Sequence, residues 1–295
     1  YLSAGKPVVA VDLPELRSMD SWIQRCSDSG SFIAAVARAL DERDPRLQQA
    51  RIDYAAAQTW EHRAQQMLDA VDRLSEQPLT SVVVVSFNNR SLTERCLQSL
   101  ADPRRHGKYA APLEVIVVDN ASADGSDEML ELWQLQPSDP DSPVRRREVL
   151  INGENRGFGP AVNQGLSVAT GSYLVILNND TVVTTGWANG LRRHLENQPT
   201  LGLVGPVTNH IGNESMIRLP SGTMEETEYW ARRYTLDHGG ETYSLSVAAF
   251  FCVMMSRSIY ERVGGLDEQF VPGFFEDDDY CYRIKQAGYE IACAE

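Results

Sequence analysis

The sequence has few cysteines and no paired cysteine motif. Its five cysteines are odd in number among 295 residues, are scattered, and never stand in a CxxC spacing. A disulfide framework and a zinc site both favour closely spaced pairs, so the sequence supports neither. Unpaired thiols are typical of reducing compartments, and we therefore predict a cytoplasmic protein.

Long apolar runs and an excess of positive charge are also missing. The longest weakly polar run, from Leu245 to Met255, is too short to cross a bilayer, which takes about 20 apolar residues. The first residues do not show the pattern of a signal peptide. The formal charge is −14, from 27 basic and 41 acidic residues. A charge of this sign disfavours nucleic acid as a partner.

What is present is the composition of an ordinary globular protein, 42% hydrophobic and 23% charged. The length allows two domains. The chain opens without a methionine and stops at Glu295, just after an apolar segment begins. We therefore expect a fragment of a longer protein.

Residues 1 to 79 are predicted to form a unit of their own, a partial α/β segment with a linker around Pro78. A helix ends at Gly5 and a short valine-rich strand follows it. Apolar residues have helical spacing from Phe32 to Leu40, and again from about Trp60 to Leu74. Three helices and one strand cannot close a sheet, so this unit resembles the end of a larger domain.

Residues 80 to 295 alternate strands and helices, which predicts right-handed crossovers and a mostly parallel central sheet. The first four buried strands are expected at Val82 to Val85, Val115 to Val118, Glu148 to Ile151 and Tyr173 to Leu177. Later elements are a helix from Gly186, a helix carrying Tyr229, Trp230 and Tyr234, a strand from Ala248 to Met255, and helices from Ser258 and Glu276. The three aromatic residues could stack on a sugar, but a core position is favoured.

Polar residues follow the strands at the edge where open α/β folds bind ligands. The fourth strand ends in Asn178, Asn179 and Asp180, and Asp119 follows the second. A carboxylate flanked by amides can coordinate a hard cation that serves substrate phosphates, whereas an ordinary turn is the alternative. Because three of the four strands end in this way, we favour a ligand site.

The helix that begins near Phe158 offers exposed amides to a phosphate or a ribose. Gly157 and Gly159 give the start of a GxGxxG motif, but Val162 stands at the third glycine. A dinucleotide oxidoreductase is therefore disfavoured. A nucleotidyltransferase would need a glycine-rich basic loop where this chain has SFNNRS.

Four carboxylates, Glu276 to Asp279, stand together at the start of a predicted helix, after the apolar stretch FVPGFF. Neighbouring like charges raise one another's pKa values, which suits a general base. A solvated helix start is the alternative. The bracketing aromatic residues favour a lined pocket.

Six motifs together resemble glycosyltransferase family 2, the inverting GT-A enzymes, and within it the rhamnosyltransferase-like members. They are SFNNR, VVDNAS, ENRGFGPAVNQGL, YLVILNNDT, RVGGLDEQF and GFFEDDDYCYRIKQAGY, over residues 81 to 295. The resemblance implies a GT-A nucleotide-sugar-binding fold, truncated at its carboxyl terminus. YLSAGKPVVAVDLPEL resembles the carboxyl-terminal half of GT-B glycosyltransferases.

The resemblance also implies roles for individual residues. Asp277 matches the catalytic base, and Glu276 would orient the acceptor or the donor. Asp180 matches the last residue of the DxD motif and would hold Mg²⁺ or Mn²⁺, although Asn178 replaces the first aspartate. The nucleotide-sugar-binding positions are Ser86, Phe87, Asn88, Asp119, Asn155, Gly157, Asn163 and Asn179. The histidine that commonly follows in the family would lie past Glu295.

The implied function is transfer of a sugar, with rhamnose a candidate, from a nucleotide diphosphate donor to an acceptor hydroxyl in cell-surface polysaccharide or glycan synthesis. The acceptor is a glycan or a lipid-linked sugar. Arg104, Arg105 and Lys108, or Arg145 to Arg147, could face a lipid-linked acceptor, which would give peripheral membrane association. The favoured interpretation is that these basic residues lie in solvated loops. The alternative function is a non-catalytic nucleotide-sugar or glycan-binding module.

Overall fold

The computed structural model describes residues 1–295 except 14, 15, 17, 18, 20, 58, 60–63, 65–76, 107–109, 138 and 221–222. The chain forms two compact units, Tyr1–Glu76 and Gln77–Glu295. Most of the helix predicted between residues 60 and 74, and Lys108, lie outside the described residues. Among the described residues, no helix is long and apolar enough to span a membrane.

Unit 1, Tyr1–Glu76, contains two parallel strands and two α-helices in its described part. Its elements are a 3-10 helix (Leu2–Ala4), β1 (Val8–Val11), β2 (Ile23–Cys26), α1 (Ser29–Asp41) and α2 (Pro45–Ala56). The 3-10 helix ends at Gly5 with a left-handed φ of 67°, as predicted. The sequence predicts neither β2 nor α2, and the expectation of a single strand is wrong. The sequence of β2, IQRC, lacks the β-branched run that marks β1, so its pairing with β1 defines it.

Unit 2, Gln77–Glu295, is an α/β domain whose strands and helices alternate through its first half. Its strands are β3 (Thr80–Ser86), β4 (Leu113–Asp119), β5 (Val144–Ile151), β6 (Tyr173–Asn178), β7 (Leu201–Pro206), β8 (Thr242–Ser244), β9 (Cys252–Ser256) and β10 (Glu290–Ala294). Its α-helices are α3 (Arg90–Ala101), α4 (Ser126–Leu135), α5 (Phe158–Val168), α6 (Trp187–Asn197), α7 (Met224–His238), α8 (Arg257–Val263) and α9 (Glu276–Gln286).

One mostly parallel sheet organises unit 2. Among the described residues its strand order is β5-β4-β3-β6-β9-β7-β10-β8. The four strands from β5 to β6 pair in parallel, as predicted, and β7 pairs in parallel with β10. β9 is antiparallel to both of its neighbours, and β8 is antiparallel to β10. The predicted α/β fold class is confirmed.

Unit 2 has two hydrophobic cores, and successive apolar residues of a strand pack alternately into one and the other. Val82 and Val84 of β3 pack in the cluster that includes Leu97 of α3, whereas Val83 packs in the cluster that includes Leu166 of α5. Because successive strand residues point to opposite faces, these cores lie on the two sides of the sheet. Both faces of the sheet are thus covered, as the uninterrupted valine run of β3 predicts.

Two strands begin four residues away from the predicted position. β5 begins at Val144 rather than at Glu148, and β9 begins at Cys252 rather than at Ala248. Residues 248–251 form no strand, although they are apolar. Ala248 and Phe250 are buried against the core, so tertiary packing explains their hydrophobicity.

Gly165 of α5 allows a close approach to β3, because a methyl group there would overlap the Val83 side chain. We expect Gly165→Ala to lower the free energy of unfolding by about 1 to 3 kcal/mol, the usual cost of overpacking. Gly190→Ala on α6 is the matched control, since open space surrounds that position and alanine favours a helix by about 1 kcal/mol. Urea unfolding of both variants measures the difference. Equal shifts of the two midpoints would contradict the close packing of α5.

Candidate functional site

The ends of β3, β4 and β6 meet at one edge of the sheet. Ser86 pairs with Asp119 in the β3–β4 ladder, and Val85 pairs with Asn178 in the β3–β6 ladder. The polar residues that end these three strands are therefore neighbours. Such a carboxyl edge is the usual ligand-binding edge of an open α/β sheet.

Asp119 and Asn88 are held by the loops that follow their strands. The fully buried carboxylate of Asp119 accepts hydrogen bonds from the backbone N–H of Ser122 at 2.9 Å and from its hydroxyl at 2.6 Å. That hydroxyl accepts one from the N–H of Asn88 at 2.8 Å, and Asn88 Oδ1 accepts one from the N–H of Ala123 at 2.9 Å. The two loops thus form a rigid frame before any ligand arrives.

Ser86 and Asn179 are joined through Thr93 on α3. The buried Ser86 hydroxyl lies 3.2 Å from the Thr93 hydroxyl, and Asn179 Nδ2 donates to that same hydroxyl at 2.8 Å. These side chains hold the sheet edge together. Phe87, in contrast, is 45% exposed, so its ring is available to a ligand.

Asn120 is a site residue that the sequence reasoning misses. Its side chain, 2% exposed, donates to Asn155 Oδ1 at 2.9 Å and to the carbonyl of Gly157 at 3.0 Å. Its Oδ1 accepts hydrogen bonds from Asn152 Nδ2 and from the backbone N–H of Arg156, both at 3.1 Å. Asn120 thereby ties the end of β4 to the segment before α5. The signal was its position directly after Asp119.

The segment before α9 is tied to the start of α5. The N–H of Phe158 donates to the carbonyl of Pro272 at 3.1 Å, and Gly157 has a φ of 87°, which favours glycine. Asn163 donates to the carbonyl of Leu266 and accepts from its N–H, both at 2.8 Å. The Asn163 amide thus braces this loop.

Glu276 begins α9 in a buried position. It is 8% exposed, and its Oε2 has no hydrogen-bond partner among the described residues. Burial, and secondarily the charge of Asp277, raises the pKa of the Glu276 carboxyl. An unpaired buried carboxylate oxygen is costly, and a ligand hydroxyl would satisfy it.

The other three carboxylates of this cluster occupy different surroundings. Burial, with a smaller contribution from the charge of Asp278, raises the pKa of the half-buried Asp277. Asp278 is exposed, and Asp279 accepts a hydrogen bond from Arg283 Nε at 2.7 Å. The sequence predicts raised pKa values from neighbouring like charges. In the fold, burial is the larger cause.

Asp277 shares a cavity with the segment that hydrogen-bonds to the end of β6. The N–H of Asn178 donates to the carbonyl of Phe251 at 2.8 Å. Ala249, two residues before Phe251, lines a cavity that Asp277 also lines. Two residues span at most about 7 Å of backbone. The fold therefore brings together the end of β6 and the start of α9, which are far apart in sequence.

Asp180 is exposed in the turn that follows β6. Asp180 is near the buried thiol of Cys96. Burial, together with the charge of Asp180, raises the pKa of that thiol. In the described part of the chain, three side chains that could share an ion are His238, Glu241 and Glu295, whose ligand atoms lie within 4.8 Å of one another. This group does not include Asp180, so an ion at Asp180 would take further oxygen ligands from a bound molecule.

Two expectations about aromatic residues are wrong. Phe274 and Phe275 are 79% and 67% exposed and do not line the cavity at Asp277. Their left-handed backbone, with φ of 82° and 74°, forms the turn that begins α9. On α7, Tyr229, Trp230 and Tyr234 are not core residues, because none of the residues of that helix is buried. Tyr229 stacks edge-on against Trp230 at 5.2 Å between ring centroids.

The comparisons with known proteins agree with this fold. A family model, described as glycosyl transferase family 2, matches residues 81–264. A solved mannosyltransferase, PcManGT from Pyrobaculum calidifontis in complex with GDP-Man and Mn²⁺, superposes with a TM-score of 0.52 at 21% identity. The match covers 74% of this chain and 56% of that chain. The α/β fold with its mostly parallel sheet is therefore the GT-A fold.

Two curated relatives show the range of the sequence matches. An N-acetylglucosaminyl-diphospho-decaprenol L-rhamnosyltransferase from Mycobacterium tuberculosis (strain CDC 1551 / Oshkosh) is 25% identical over 236 residues, 70% of this chain and 71% of that protein. The uncharacterized protein y4gI from Sinorhizobium fredii is 25% identical over 222 residues, 72% of this chain. That match spans only 23% of y4gI. The chain thus spans less than half the length of several relatives.

Proposed function

The chain belongs to glycosyl transferase family 2, and from this premise we propose that it is a glycosyltransferase with the reaction and site described below. We propose that it transfers a sugar from a nucleoside diphosphate to an acceptor hydroxyl, with inversion at the anomeric carbon. Rhamnose is a candidate sugar, because a rhamnosyltransferase is among the relatives. The acceptor is a glycan or a lipid-linked sugar in cell-surface polysaccharide synthesis.

The observation that carries the proposal is the Glu276–Asp277 pair. Both carboxyl groups have raised pKa values through burial, and both stand at the start of α9. A base with a pKa raised towards neutrality is more effective at removing a hydroxyl proton. Asp277 is the proposed base. Glu276, with its unpaired Oε2, is proposed to orient a sugar hydroxyl.

The nucleotide is proposed to lie along the ends of β3 and β4. Phe87 offers an exposed ring to the base, while Asn88 and Asp119 form the preorganised frame around it. Asn155 and Gly157, which are joined by a hydrogen bond from the Gly157 N–H to Asn155 Oδ1, are proposed to lie next to the donor sugar. The other predicted binding residues act indirectly: Ser86 and Asn179 hold the edge through Thr93, and Asn163 braces the loop before α9.

A divalent cation, Mg²⁺ or Mn²⁺, fits the residues at the end of β6. The Asp180 carboxylate is exposed. It offers the hard oxygen that these ions prefer, and the diphosphate would complete the ligand set. When bound, such an ion supplies positive charge that stabilises the leaving diphosphate. Asn178 in place of a second carboxylate makes the diphosphate the more important ligand.

In the proposed reaction, Asp277 accepts the proton of the acceptor hydroxyl as that oxygen forms its bond to the anomeric carbon. The bond from the anomeric carbon to the diphosphate oxygen breaks in the same step, and the electron pair leaves with the diphosphate. A single displacement of this kind inverts the anomeric configuration. The rigid Asn88–Asp119 frame keeps the donor in one position while this occurs.

Binding and turnover of nucleotide sugars test the proposal. We expect UDP, GDP or dTDP to raise the melting temperature of the full chain in the presence of Mn²⁺, and the matching nucleotide sugar to release its diphosphate slowly to water. The alternative, a non-catalytic nucleotide-sugar-binding module, predicts the same stabilisation without release. Absence of stabilisation by all three nucleotides would contradict both functions.

Two further proposals concern the rest of the molecule. Unit 1 is proposed to be the carboxyl-terminal end of a GT-B-type domain, on the strength of the AGKPVV turn and the left-handed Gly5 within it. Residues 1–79 and 80–295 would then be separate domains. A cytoplasmic location, with peripheral association at the inner face of the membrane, is proposed from the five free, buried cysteines and from the arginines of β5.

A further inference from the structure

A cavity lies next to Asp277, the proposed base. This cavity, of about 380 Å³, contains Asp277 in its wall, and this volume is in the range of small-ligand sites, about 300 to 1,000 Å³. Two segments distant in sequence form the rest of the wall. The lining residues are Ile211, Gly212, Asn213, Glu214, Ser246, Val247, Ala249 and Asp277.

The orientation of Asp277 follows from the contacts of α9. Cys281, one turn further along, accepts a hydrogen bond from the N–H of Ala248 at 3.3 Å. Lys285, a second turn along, donates through Nζ to the carbonyl of Ser246 at 2.7 Å. Residues spaced by four lie on one helical face. Asp277 therefore points along the same face, towards the segment from Ser246 to Ala249.

The cavity wall combines donors and acceptors with apolar surface. Asn213 Oδ1 accepts a hydrogen bond from the N–H of Ser215 at 3.0 Å, and the same side-chain amide carries Nδ2 as a donor. The carbonyl of Glu214 accepts a hydrogen bond from the Tyr243 hydroxyl at 2.9 Å, which fixes the backbone of this loop. Ile211, Val247 and Ala249 add apolar surface. A sugar ring presents the matching mixture, hydroxyls at its rim and C–H groups on its faces.

The charge of the wall is one-sided. Among the described residues that line the cavity, Glu214 and Asp277 carry carboxylates, and none is lysine or arginine. Lys285 is nearby, where its ammonium group donates to the Ser246 carbonyl and keeps its positive charge. Like charges placed side by side at an interface disfavour binding strongly. An anionic group next to the reacting hydroxyl would meet two carboxylates in the wall, against the single ammonium group of Lys285 behind it.

We propose that this cavity selects the acceptor: it holds a neutral sugar unit, with Asn213 and Glu214 as specificity residues, and rejects a sugar that bears a carboxylate. The inference rests on the proposed function, since Asp277 is the base of that reaction. It adds the chemical class of the acceptor unit. Asn213 Nδ2 donates to an acceptor oxygen, and Glu214 accepts from a hydroxyl.

Matched pairs of methyl glycosides test the selection. The full chain is titrated with methyl glucoside, galactoside and mannoside, and with the corresponding methyl hexuronides, by saturation-transfer NMR. Each titration is run with and without UDP or GDP. We expect at least one neutral glycoside to bind at least about 10-fold more tightly than its hexuronide. Equal or tighter binding of the hexuronides, or no binding of any neutral glycoside, would overturn the inference.

Three variants locate the effect in the cavity. Asn213→Asp keeps the oxygen that caps Ser215 and removes the donor, so we expect about 2- to 10-fold weaker binding of the neutral glycoside. Glu214→Gln should reduce the preference over the hexuronide by at least about 3-fold. Glu131→Gln, an exposed position on α4 with the same change of charge, is the control and should leave both values unchanged.

The outcomes distinguish this inference from the proposed function. Failure of every nucleotide to bind contradicts the proposed function, while the glycoside titrations without nucleotide still measure the cavity itself. Nucleotide binding with no preference for neutral glycosides contradicts only the inference. Equal effects of Glu214→Gln and Glu131→Gln would assign any preference to the overall charge of −14 rather than to the cavity.

Discussion

Replacing Asp277 by asparagine is expected to lower sugar transfer by about 10²- to 10⁴-fold, the usual contribution of a positioned general base. The substitution keeps the shape of the side chain and removes its proton acceptor. Nucleotide binding should change little, because Asp277 is proposed to act on the acceptor hydroxyl. Rates of nucleotide release and calorimetric titration with the nucleotide, measured in parallel, separate the two effects.

The pH profile provides a second readout of the same residue. Burial raises the pKa of Asp277, so the base loses its ionised form as the pH falls through that raised value. We therefore expect kcat/KM of the wild type to fall on the acid side at a pH above the usual aspartate pKa of about 3.9. Asp277→Asn should lose this acid limb.

Asp279→Asn is the matched control within the same helix turn. Asp279 pairs with Arg283 at i,i+4, an interaction worth about 0.3 to 0.5 kcal/mol to a helix. Its loss should cost a little stability and almost no rate. Transfer by Asp277→Asn at a rate close to that of the wild type would contradict the assignment of the base.

Replacing Asp180 by alanine is expected to abolish the Mn²⁺ dependence of nucleotide binding. Loss of an outer-sphere partner typically weakens a metal site by about 10- to 100-fold, so loss of a direct ligand should weaken it by at least about 100-fold. Titration of UDP or GDP with and without Mn²⁺ measures the change. The fold should tolerate the substitution, because Asp180 is exposed in a turn.

Asn178→Ala is the comparison for this site, since it removes a neutral side chain at the other end of the same tripeptide. The backbone of residue 178, which bonds to Phe251, is retained. A modest loss of Mn²⁺ dependence is expected. If both variants bound the nucleotide diphosphate with undiminished Mn²⁺ dependence, Asp180 would not be the metal ligand.

Most of the sheet of unit 2 could be predicted because its signals are local. An apolar β-branched run such as Val82 to Val85 favours a buried strand wherever it occurs, and a helix of amphipathic spacing after it implies a parallel crossover. The limits of β3, β4 and β6 came within one or two residues of the prediction. Unit 1 was predicted less well, because β2 depends on pairing with β1 rather than on its own residues.

Apolar character alone did not reveal where a residue would lie. The run from Ala248 was predicted as a strand, yet its first four residues are buried or half-buried without strand pairing. The aromatic residues of α7 were expected in the core, but that helix also carries Glu225, Glu226, Arg232 and Arg233, and none of its residues is buried. The free-energy cost of burying those charged side chains would exceed the gain from burying the aromatic rings.

The sequence by itself determined the fold class, the positions of strands β3 to β6 along the chain and the identity of the polar residues that end them, because periodicity and strand-end chemistry are local properties. Only the tertiary structure decided which of those residues are exposed at the sheet edge and which are held in hydrogen bonds within it. Asn120 and Thr93 became part of the site through hydrogen bonds to residues more than 30 positions away. The burial of Glu276 and the cavity at Asp277 likewise arise from segments distant in sequence. Desolvation depends on all the atoms that surround a group, and no local pattern carries that information.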